Sequence, residues 1–327
     1  MIKLVYVYEG EQLDITNITG SYSRSDNIDS LGAELNFTMC VNPLDVNFAN
    51  YEIEIGSKVV LFNNDVAVFK GIVVSASRSS VNTIVYKCFD YGFYLNKSEA
   101  RIQFNNVTVT TALQRLCTEN EIPVGAIADI ATKVTKIYNG DKISDIIKDL
   151  LKLATNETGK KYRLELRDNL LYIEDYEQLI VTATYTPATG TGGFDVTKII
   201  GSFSSNYSIE DIATRVLIVS SSEKHTQIYG QVEDSNNITK YGLVTKVEKV
   251  DDKNKGQAVQ IAKNKLQDLN KVKKTFHVTL FGNDNVRSGR TLVFDQPDIG
   301  LTGAFLVKNC THNYNGMKHF MSLELGV

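Results

Sequence analysis

Tryptophan is absent from this 327-residue chain, and cysteine, proline and histidine occur only four times each. Many carbohydrate sites stack a sugar on an indole ring, so the absence of tryptophan disfavours such a site, although sixteen tyrosines could take that role. The cysteines are far apart and form no CxxC pair, which excludes the clustered disulfide framework of small secreted proteins. We expect all four to be small buried thiols: Cys40, Cys88, Cys117 and Cys310.

An excess of charge of one sign is also missing. The chain has 35 basic and 38 acidic residues, which gives a net charge of −3. A general nucleic-acid-binding protein shows a basic excess or a basic stripe. The composition therefore excludes that class, and any DNA would at most pass by the protein without being held.

Long hydrophobic runs do not occur either. No stretch reaches the roughly 20 apolar residues that a membrane-spanning helix needs. The first fourteen residues, MIKLVYVYEGEQLD, alternate in polarity and lack the apolar core of a secretory signal peptide. We therefore expect a protein that is made in the cytoplasm, is not exported by the Sec route and has no membrane partner.

The first part of the chain is predicted to be a β-barrel over residues 1–104. Apolar and polar residues alternate with the period of two that is typical of strands; Leu35, Phe37 and Met39, for example, share one face. Further apolar runs follow at 57–62, 67–77 and 82–92, with Asn63-Asn64-Asp65 as a hairpin turn. Short strands at this spacing are typical of barrels and sandwiches.

A small α+β domain is predicted over residues 105–178. Apolar residues recur at helical intervals over 108–120 and again over 143–154. Asp141 precedes the second helix and is a candidate to cap its first turn. A hairpin follows over 162–175, with its turn at Asp168-Asn169.

Strands return over residues 179–327, where we predict a second β-barrel with an inserted helix at 255–270. Strand patterns cover 214–221, 225–232 and 242–250, and four more follow the helix. The glycine- and threonine-rich segment 186–194 has no periodicity, which indicates a loop. A chain of this length exceeds what one core usually serves. The predicted fold is therefore mainly β, with two barrels flanking a small α+β domain.

Catalytic signatures are not found in the sequence. It contains no GxGxxG after a strand, no GxxxxGK[ST], no HExxH and no GxSxG. The segment TNETGKK at 155–161 resembles a phosphate-binding loop but lacks its first glycine and the preceding strand. We therefore predict no enzyme activity, no catalytic residues and no cofactor.

The four histidines are the candidates for metal binding. His312 and His319 flank a turn at Asn315-Gly316 and could face each other across a hairpin, with Glu324 as a third metal ligand. His319 alternates in register with apolar residues, however, which favours a hydrogen-bonded core or interface residue over a metal ligand. The other two histidines, His225 and His277, have no acidic or cysteine neighbour at ligand spacing. The sequence alone therefore predicts no metal site.

A family resemblance lies mainly in the last third of the chain. It is carried by ITKYGLVTKVEKV at 238–250, AVQIAKNKLQDLNKVKKTFHVTLFG at 258–282, SGRTLVF at 288–294 and GAFLVKNCTHNYNGMKHFMSLEL at 303–325. This order resembles the baseplate hub protein of contractile phage tails and phage-tail-like bacteriocins, of the PBSX-prophage type and similar to late control protein D. The residues that match the family pattern are Tyr241, Gly242, Gly282, Gly289, Gly303, His312 and His319.

The resemblance implies a structural protein of the baseplate, assembled in the bacterial cytoplasm. It implies a homotrimer with two tail-tube-like barrels per chain, so that six similar units form a ring around a weakly acidic or neutral lumen. Such a ring would join a hexameric tail tube, or a tube-initiator protein, to a trimeric spike and to baseplate wedge proteins. We expect the loop 186–194 to contact neighbouring subunits.

A cell-wall-binding or cell-wall-degrading tail component is the alternative. The segment NGDKISDIIKDLL at 139–151 resembles the opening of a LysM repeat, a module that binds peptidoglycan. The rest of that repeat is not recognisable. Binding to peptidoglycan, or its clearing by the isolated protein, would separate this alternative from the hub.

Overall fold

Seven strands lie among the described residues of the first part of the chain, and they follow the alternating pattern of the sequence. They are β1 (Ile2–Tyr8), β2 (Glu11–Asp14), β3 (Thr19–Asn27), β4 (Glu34–Cys40), β5 (Lys58–Asn63), β6 (Val66–Ser80) and β7 (Thr83–Phe89). Leu35, Phe37 and Met39 are all buried on one face of β4. Asn64 and Asp65 have φ values of 47° and 63°, the left-handed conformation that a tight hairpin turn requires, which confirms the predicted turn.

The computed structural model describes residues 2–326 except 9, 43, 46, 49–51, 177–178, 186–191, 222–226, 251 and 317. Most of the predicted loop 186–194 lies outside the described residues, and so does His225. Within the described residues, no helix is long and apolar enough to cross a membrane.

The second part of the chain combines helices with short sheets. Its elements are α1 (Gly92–Leu95), β8 (Glu99–Thr108), α2 (Val109–Glu119), β9 (Val124–Ile127), β10 (Lys133–Lys142), α3 (Ile143–Thr158), β11 (Tyr162–Arg167) and β12 (Leu170–Asp175). Both predicted helices are present. Asp141 does not cap α3, because its carboxylate accepts a hydrogen bond from the Asn139 amide instead.

The core of this second part shows why its elements pack together. The apolar stripe of α3 is buried, including Ile146, Ile147 and Leu150, and packs against the buried face of α2. Ile102 and Phe104 of β8 belong to the same core. The predicted boundary at residue 105 therefore falls inside β8, because a strand pattern alone does not say which core the strand serves.

The last part of the chain contains most of the remaining strands. Its elements are β13 (Thr184–Tyr185), β14 (Phe194–Asp195), β15 (Ser202–Ser208), β16 (Arg215–Ser220), β17 (Ile228–Glu233), α4 (Ser235–Tyr241), β18 (Thr245–Val250), α5 (Ala258–Leu269), β19 (Lys273–Phe281), β20 (Thr291–Gln296), β21 (Leu301–Asn315) and β22 (Lys318–Gly326). The inserted helix predicted at 255–270 is α5.

Strands β16, β17 and β18 form a sheet of their own, in the order β17-β16-β18. Helix α5 packs on this sheet through Ala258, Ile261 and Ala262, which share a core with Val216 and Ile218. We predicted that these strands belong to the second barrel. They instead form a separate α+β unit with α5, because the apolar face of that helix covers them.

One 12-stranded sheet runs through the first and last parts of the chain, with the strand order β15-β19-β22-β21-β3-β4-β7-β6-β5-β1-β2 and with β20 paired to β21. The link is the antiparallel pair β21–β3, in which His312 lies opposite Arg24. Each side of the link has its own apolar core, and Tyr314 of β21 extends into the core of the first part. The fold is mainly β, as predicted; closure of either half into a barrel stays a prediction.

Candidate functional site

Charged side chains are buried where β3, β11, β21 and the segment 282–290 meet. We call this cluster the junction. It consists of Arg24, Asp26, Arg163, Glu165, Asp284, Ser288, Arg290, His312, Tyr314 and His319. Burying a charge costs free energy unless the charge is paired and hydrogen-bonded. The pairings inside the junction therefore determine whether the three parts of the chain fit together.

A chain of hydrogen bonds through Ser288 connects all three parts. Arg163 of β11 donates from Nη2 to Ser288 Oγ over 2.7 Å. The Ser288 hydroxyl in turn donates to Asp26 Oδ2 of β3 over 2.6 Å, and the Ser288 amide donates to the same oxygen over 2.9 Å. Arg163 also donates to the Ile28 carbonyl over 3.1 Å.

Glu165 is the anionic centre on the β11 side. Arg290 donates from Nη2 to Glu165 Oε1 over 2.6 Å, and both side chains are buried. Arg167 donates to the same carboxylate oxygen and to Glu174. Burial alone would raise the pKa of Glu165, but the hydrogen bond and charge of Arg290 and the charges of Arg167 and Arg163 lower it below its ordinary value.

Arg24 is the cation on the β3 side, and it is almost fully buried. Its Nη1 donates to the Val68 carbonyl over 2.7 Å and lies 3.8 Å from Asp284 Oδ1. Three buried nitrogens of the described residues in the junction have no hydrogen-bond acceptor. They are Arg24 Nη2, Arg163 Nε and Arg290 Nη1.

His312 and His319 face each other across the β21–β22 hairpin, as the sequence predicted. His312 Nδ1 lies 2.9 Å from His319 Nε2, and His312 Nε2 lies 2.8 Å from the Val286 carbonyl oxygen. Because that carbonyl can only accept, the proton of His312 is on Nε2, and the lone pair of Nδ1 accepts a hydrogen bond from His319 Nε2. Burial lowers the pKa of His312 well below its ordinary value and that of His319 to about 4, so both rings are neutral at pH 7.

The acidic residue beside the histidines is Asp284, and not Glu324 as the sequence suggested. Asp284 Oδ1 lies 3.8 Å from His319 Nε2 and accepts a hydrogen bond from the Tyr314 hydroxyl, while Oδ2 accepts one from Asn63 over 2.7 Å. Glu324 lies opposite His277 in the β19–β22 pair. A turn segment brings Asp284 to the hairpin, and strand periodicity gives no signal for that.

Four of the seven family-like residues meet at the junction: Gly282, Gly289, His312 and His319. A Cβ on Gly282 would lie 2.1 Å from the His319 ring, so only glycine lets the imidazole sit there. The other three lie elsewhere. Tyr241 and Gly242 are at the end of α4, and Gly303 lies in β21 opposite Phe294.

The charged residues of the junction were missed because they look like ordinary solvent-facing charges. In YRLELR, charged residues alternate with leucines as on a strand with one face in solvent. Both faces of this strand are covered, however, and Arg163, Leu164 and Glu165 are all buried. The junction has three arginines and three carboxylates on two strands and the segment 282–290, and this balance becomes visible only once the pairing of these segments is known.

A cavity of about 380 Å³ opens beside the junction and is lined by both charged and apolar side chains. Arg287 and Arg290 reach it from the last part of the chain, and Asp90 reaches it from the first. Burial raises the pKa of Asp90 to about 6, although the Ala33 and Gly92 amides donate to its carboxylate. The junction is thus a buried polar contact between the three parts of the chain. At one side of it, nitrogen atoms of His312 and His319 lie close to the Asp284 carboxylate.

Comparison with known proteins finds similarity to a protein of a phage-like element and to solved tail proteins. The chain is 26% identical over 283 residues to the phage-like element PBSX protein XkdQ of Bacillus subtilis (strain 168), covering 84% of this chain and 82% of XkdQ. The solved 43 kDa tail protein of prophage MuSo2 from Shewanella oneidensis superposes with a TM-score of 0.75 at 14% identity, over 99% of this chain and 98% of that one.

A second solved structure, the tail protein from Neisseria meningitidis MC58, superposes with a TM-score of 0.70 at 16% identity, over 100% of this chain and 96% of that one. The shared fold thus includes all parts of the chain. The sequence matches the YQBQ-like family over residues 23–326, a span that contains every junction residue. The chain therefore belongs to the YQBQ-like family.

Proposed function

We propose that this chain is a structural subunit of the baseplate of a phage tail or phage-tail-like particle. The observation that carries the proposal is the fold, which a prophage tail protein and a second tail protein share over almost the full length of the chain. The similarity to a protein of the PBSX phage-like element supports the same particle type. We propose a structural and not an enzymatic role.

Within the baseplate, we propose the role of a trimeric hub. The 12-stranded sheet has two halves, each with its own apolar core, joined through β3 and β21. Three copies would present six related halves, which suits a hexameric tail tube on one side and a trimeric spike on the other. The junction would keep the two halves at a fixed angle, because three parts of the chain share its ion pairs.

The ends of the sheet support contacts between subunits. Among the described strands, β2 pairs only with β1 and β15 pairs only with β19. An edge strand presents free amide and carbonyl groups that a strand of another chain can pair with. We propose that these edges contact neighbouring copies, the tail tube or its initiator protein, the spike and the wedge proteins. We also propose that the ring of subunits surrounds a lumen whose wall is not basic.

The mass of the complex tests the hub proposal. The full chain should be expressed together with the tail-tube and spike proteins of its own particle, and the mass of the purified complex measured by light scattering or native mass spectrometry. We expect three copies of the 36.4 kDa chain, about 109 kDa, within the complex. A single copy, together with clearing of peptidoglycan by the isolated chain, would instead support the cell-wall-degrading alternative.

A further inference from the structure

Three potential ligand atoms converge at the open side of the junction. They are an Asp284 carboxylate oxygen, Nδ1 of His312 and Nε2 of His319, and all lie within 4.8 Å of one another. They come from two places in the chain, the turn before β20 and the β21–β22 hairpin. Two imidazole nitrogens and one carboxylate oxygen are a common ligand set for zinc and for other first-row divalent metals.

Two of the three ligands are held by a further hydrogen bond. His312 donates from Nε2 to the Val286 carbonyl over 2.8 Å, which fixes its ring and directs the lone pair of Nδ1 towards His319 Nε2. A metal between these two nitrogens would replace the hydrogen bond that they form with each other. The Asp284 carboxylate accepts from Tyr314 and from Asn63. Metal sites in proteins are supported in this way, with the distal histidine nitrogen donating to a carbonyl and the ligating carboxylate hydrogen-bonded from behind.

We propose that Asp284, His312 and His319 bind one divalent transition-metal cation, with Zn²⁺ as the best match. In a tetrahedral zinc site with metal–ligand distances of about 2.0 to 2.2 Å, neighbouring ligand atoms lie about 3.3 Å apart. The distance from His312 Nδ1 to His319 Nε2 is 2.9 Å and that from His319 Nε2 to Asp284 Oδ1 is 3.8 Å. The first must widen and the second must shorten, each by about 0.5 Å, which side-chain rotation provides.

The Arg24 guanidinium beside Asp284 influences which ions bind at the site. Arg24 Nη1 lies 3.8 Å from Asp284 Oδ1, so this carboxylate already shares its charge with a guanidinium. The nearby cation weakens the attraction for any dication, and the imidazole ligands must supply most of the affinity. Calcium and magnesium prefer sites made of oxygen atoms alone, so they bind here much more weakly than zinc, cobalt or nickel.

A bound cation would join the turn before β20 to the β21–β22 hairpin, because Asp284 lies in that turn and the two histidines lie on β21 and β22. Asp284 also accepts a hydrogen bond from Asn63 at the end of β5, so the site is connected to the first half of the sheet through that bond. The cation stabilises the folded chain by binding it in preference to the unfolded one. This inference is independent of the hub role, since it concerns one copy of the chain.

The test is titration of tag-free full-length protein with ZnCl₂ by isothermal calorimetry and with CoCl₂ by visible absorption. We expect one Zn²⁺ per chain, a rise in the melting temperature on binding, and cobalt bands of a site with nitrogen and oxygen ligands. A thiolate-to-cobalt charge-transfer band would contradict the proposed ligand set, because it would show that a cysteine is a ligand.

Two variants and one matched control complete the experiment. Asp284→Asn keeps the size of the side chain, and His319→Gln leaves Gly282 uncrowded; we expect each to weaken Zn²⁺ binding by more than about tenfold. His277→Gln changes an exposed histidine that faces Glu324 and should leave binding unchanged. Circular dichroism establishes whether each variant is folded. If only one of Asp284→Asn and His319→Gln is folded, that variant alone is enough to test the proposal. Absence of one-to-one binding to the wild type, or equal affinity in a folded variant, would overturn the proposal.

Discussion

Gly289 lies directly against the Arg163 side chain. A Cβ on Gly289 would come within 2.3 Å of Arg163 Cδ, and its φ of 80° is in the left-handed region that favours glycine. The neighbouring Ser288 accepts the hydrogen bond from the same arginine. The glycine therefore lets the segment 282–290 approach β11 closely enough for the ion pairs of the junction to form.

Gly289→Ala should destabilise the protein by at least about 3 kcal/mol, since it adds a steric clash with Arg163 to an unfavourable φ. Urea unfolding monitored by circular dichroism measures the change. Gly56→Ala is the matched control, because Gly56 has a φ of 94° with open space around it. That variant should lose only about 1 to 2 kcal/mol. Equal losses in the two variants would mean that the approach to Arg163 is unimportant.

Glu165→Gln should destabilise the fold by about 3 to 5 kcal/mol, because it leaves Arg290 buried without its anionic partner. The exposed pair Arg215–Glu233, which is 2.8 Å long, provides the comparison. Glu233→Gln should change the free energy of unfolding by less than about 1 kcal/mol. Both changes are measured by chemical denaturation at one pH, and a Glu165→Gln loss as small as that of Glu233→Gln would contradict the role of the junction.

The elements that the sequence predicted well are those set by local physics. The hairpin 162–175 was predicted with its turn at Asp168-Asn169, and both residues have the positive φ values, 48° and 69°, that the turn needs. The helical stripe of α3 was equally clear, since six apolar residues fall on one face and are buried there. Short-range periodicity and turn chemistry decide both features.

What could not be predicted depends on pairings between distant parts of the chain. Nothing local distinguishes a strand of the 12-stranded sheet from one in the small sheet under α5. Likewise, Arg24 and Asp284 look like solvent-facing charges in the sequence. They come together only because β21 pairs with β3 and because the turn before β20 places Asp284 beside this pair. The pairing of His312 with His319 could be predicted from the sequence, because a single hairpin brings the two residues together.

His319 should make the folded protein less stable as the pH decreases from about 6.5 to about 4. Below pH 6.5 the unfolded chain protonates this histidine, while the folded chain, with a pKa of about 4, does not. The difference corresponds to about 3 kcal/mol over this interval. The free energy of unfolding should therefore be measured at several pH values for the wild type and His319→Gln.

The two curves should converge towards pH 4. Asp90 titrates with the opposite sign, since its pKa is raised to about 6, but it is present in both proteins and cancels in the difference. Parallel curves for the wild type and His319→Gln would contradict the assignment.

Cys40 should be the one thiol that reacts in the folded protein. It is exposed, whereas the sequence predicted all four cysteines to be buried; it is the last residue of β4, where the side chain points outward. Burial raises the pKa of Cys88 to about 12 and that of Cys117 to about 11, and raises that of Cys310 as well. Reaction with Ellman's reagent should yield one thiol per native chain and none for Cys40→Ser. More than one fast-reacting thiol would contradict the described core.

The proposed hub is tested most directly by electron microscopy of purified particles that contain this protein, with the chain located in the averaged density. Three copies should form a ring around an open channel, and the two halves of each 12-stranded sheet should alternate to give six similar units next to the tail tube. One copy or six copies at that level, or a chain attached to the outside of the particle, would contradict the account.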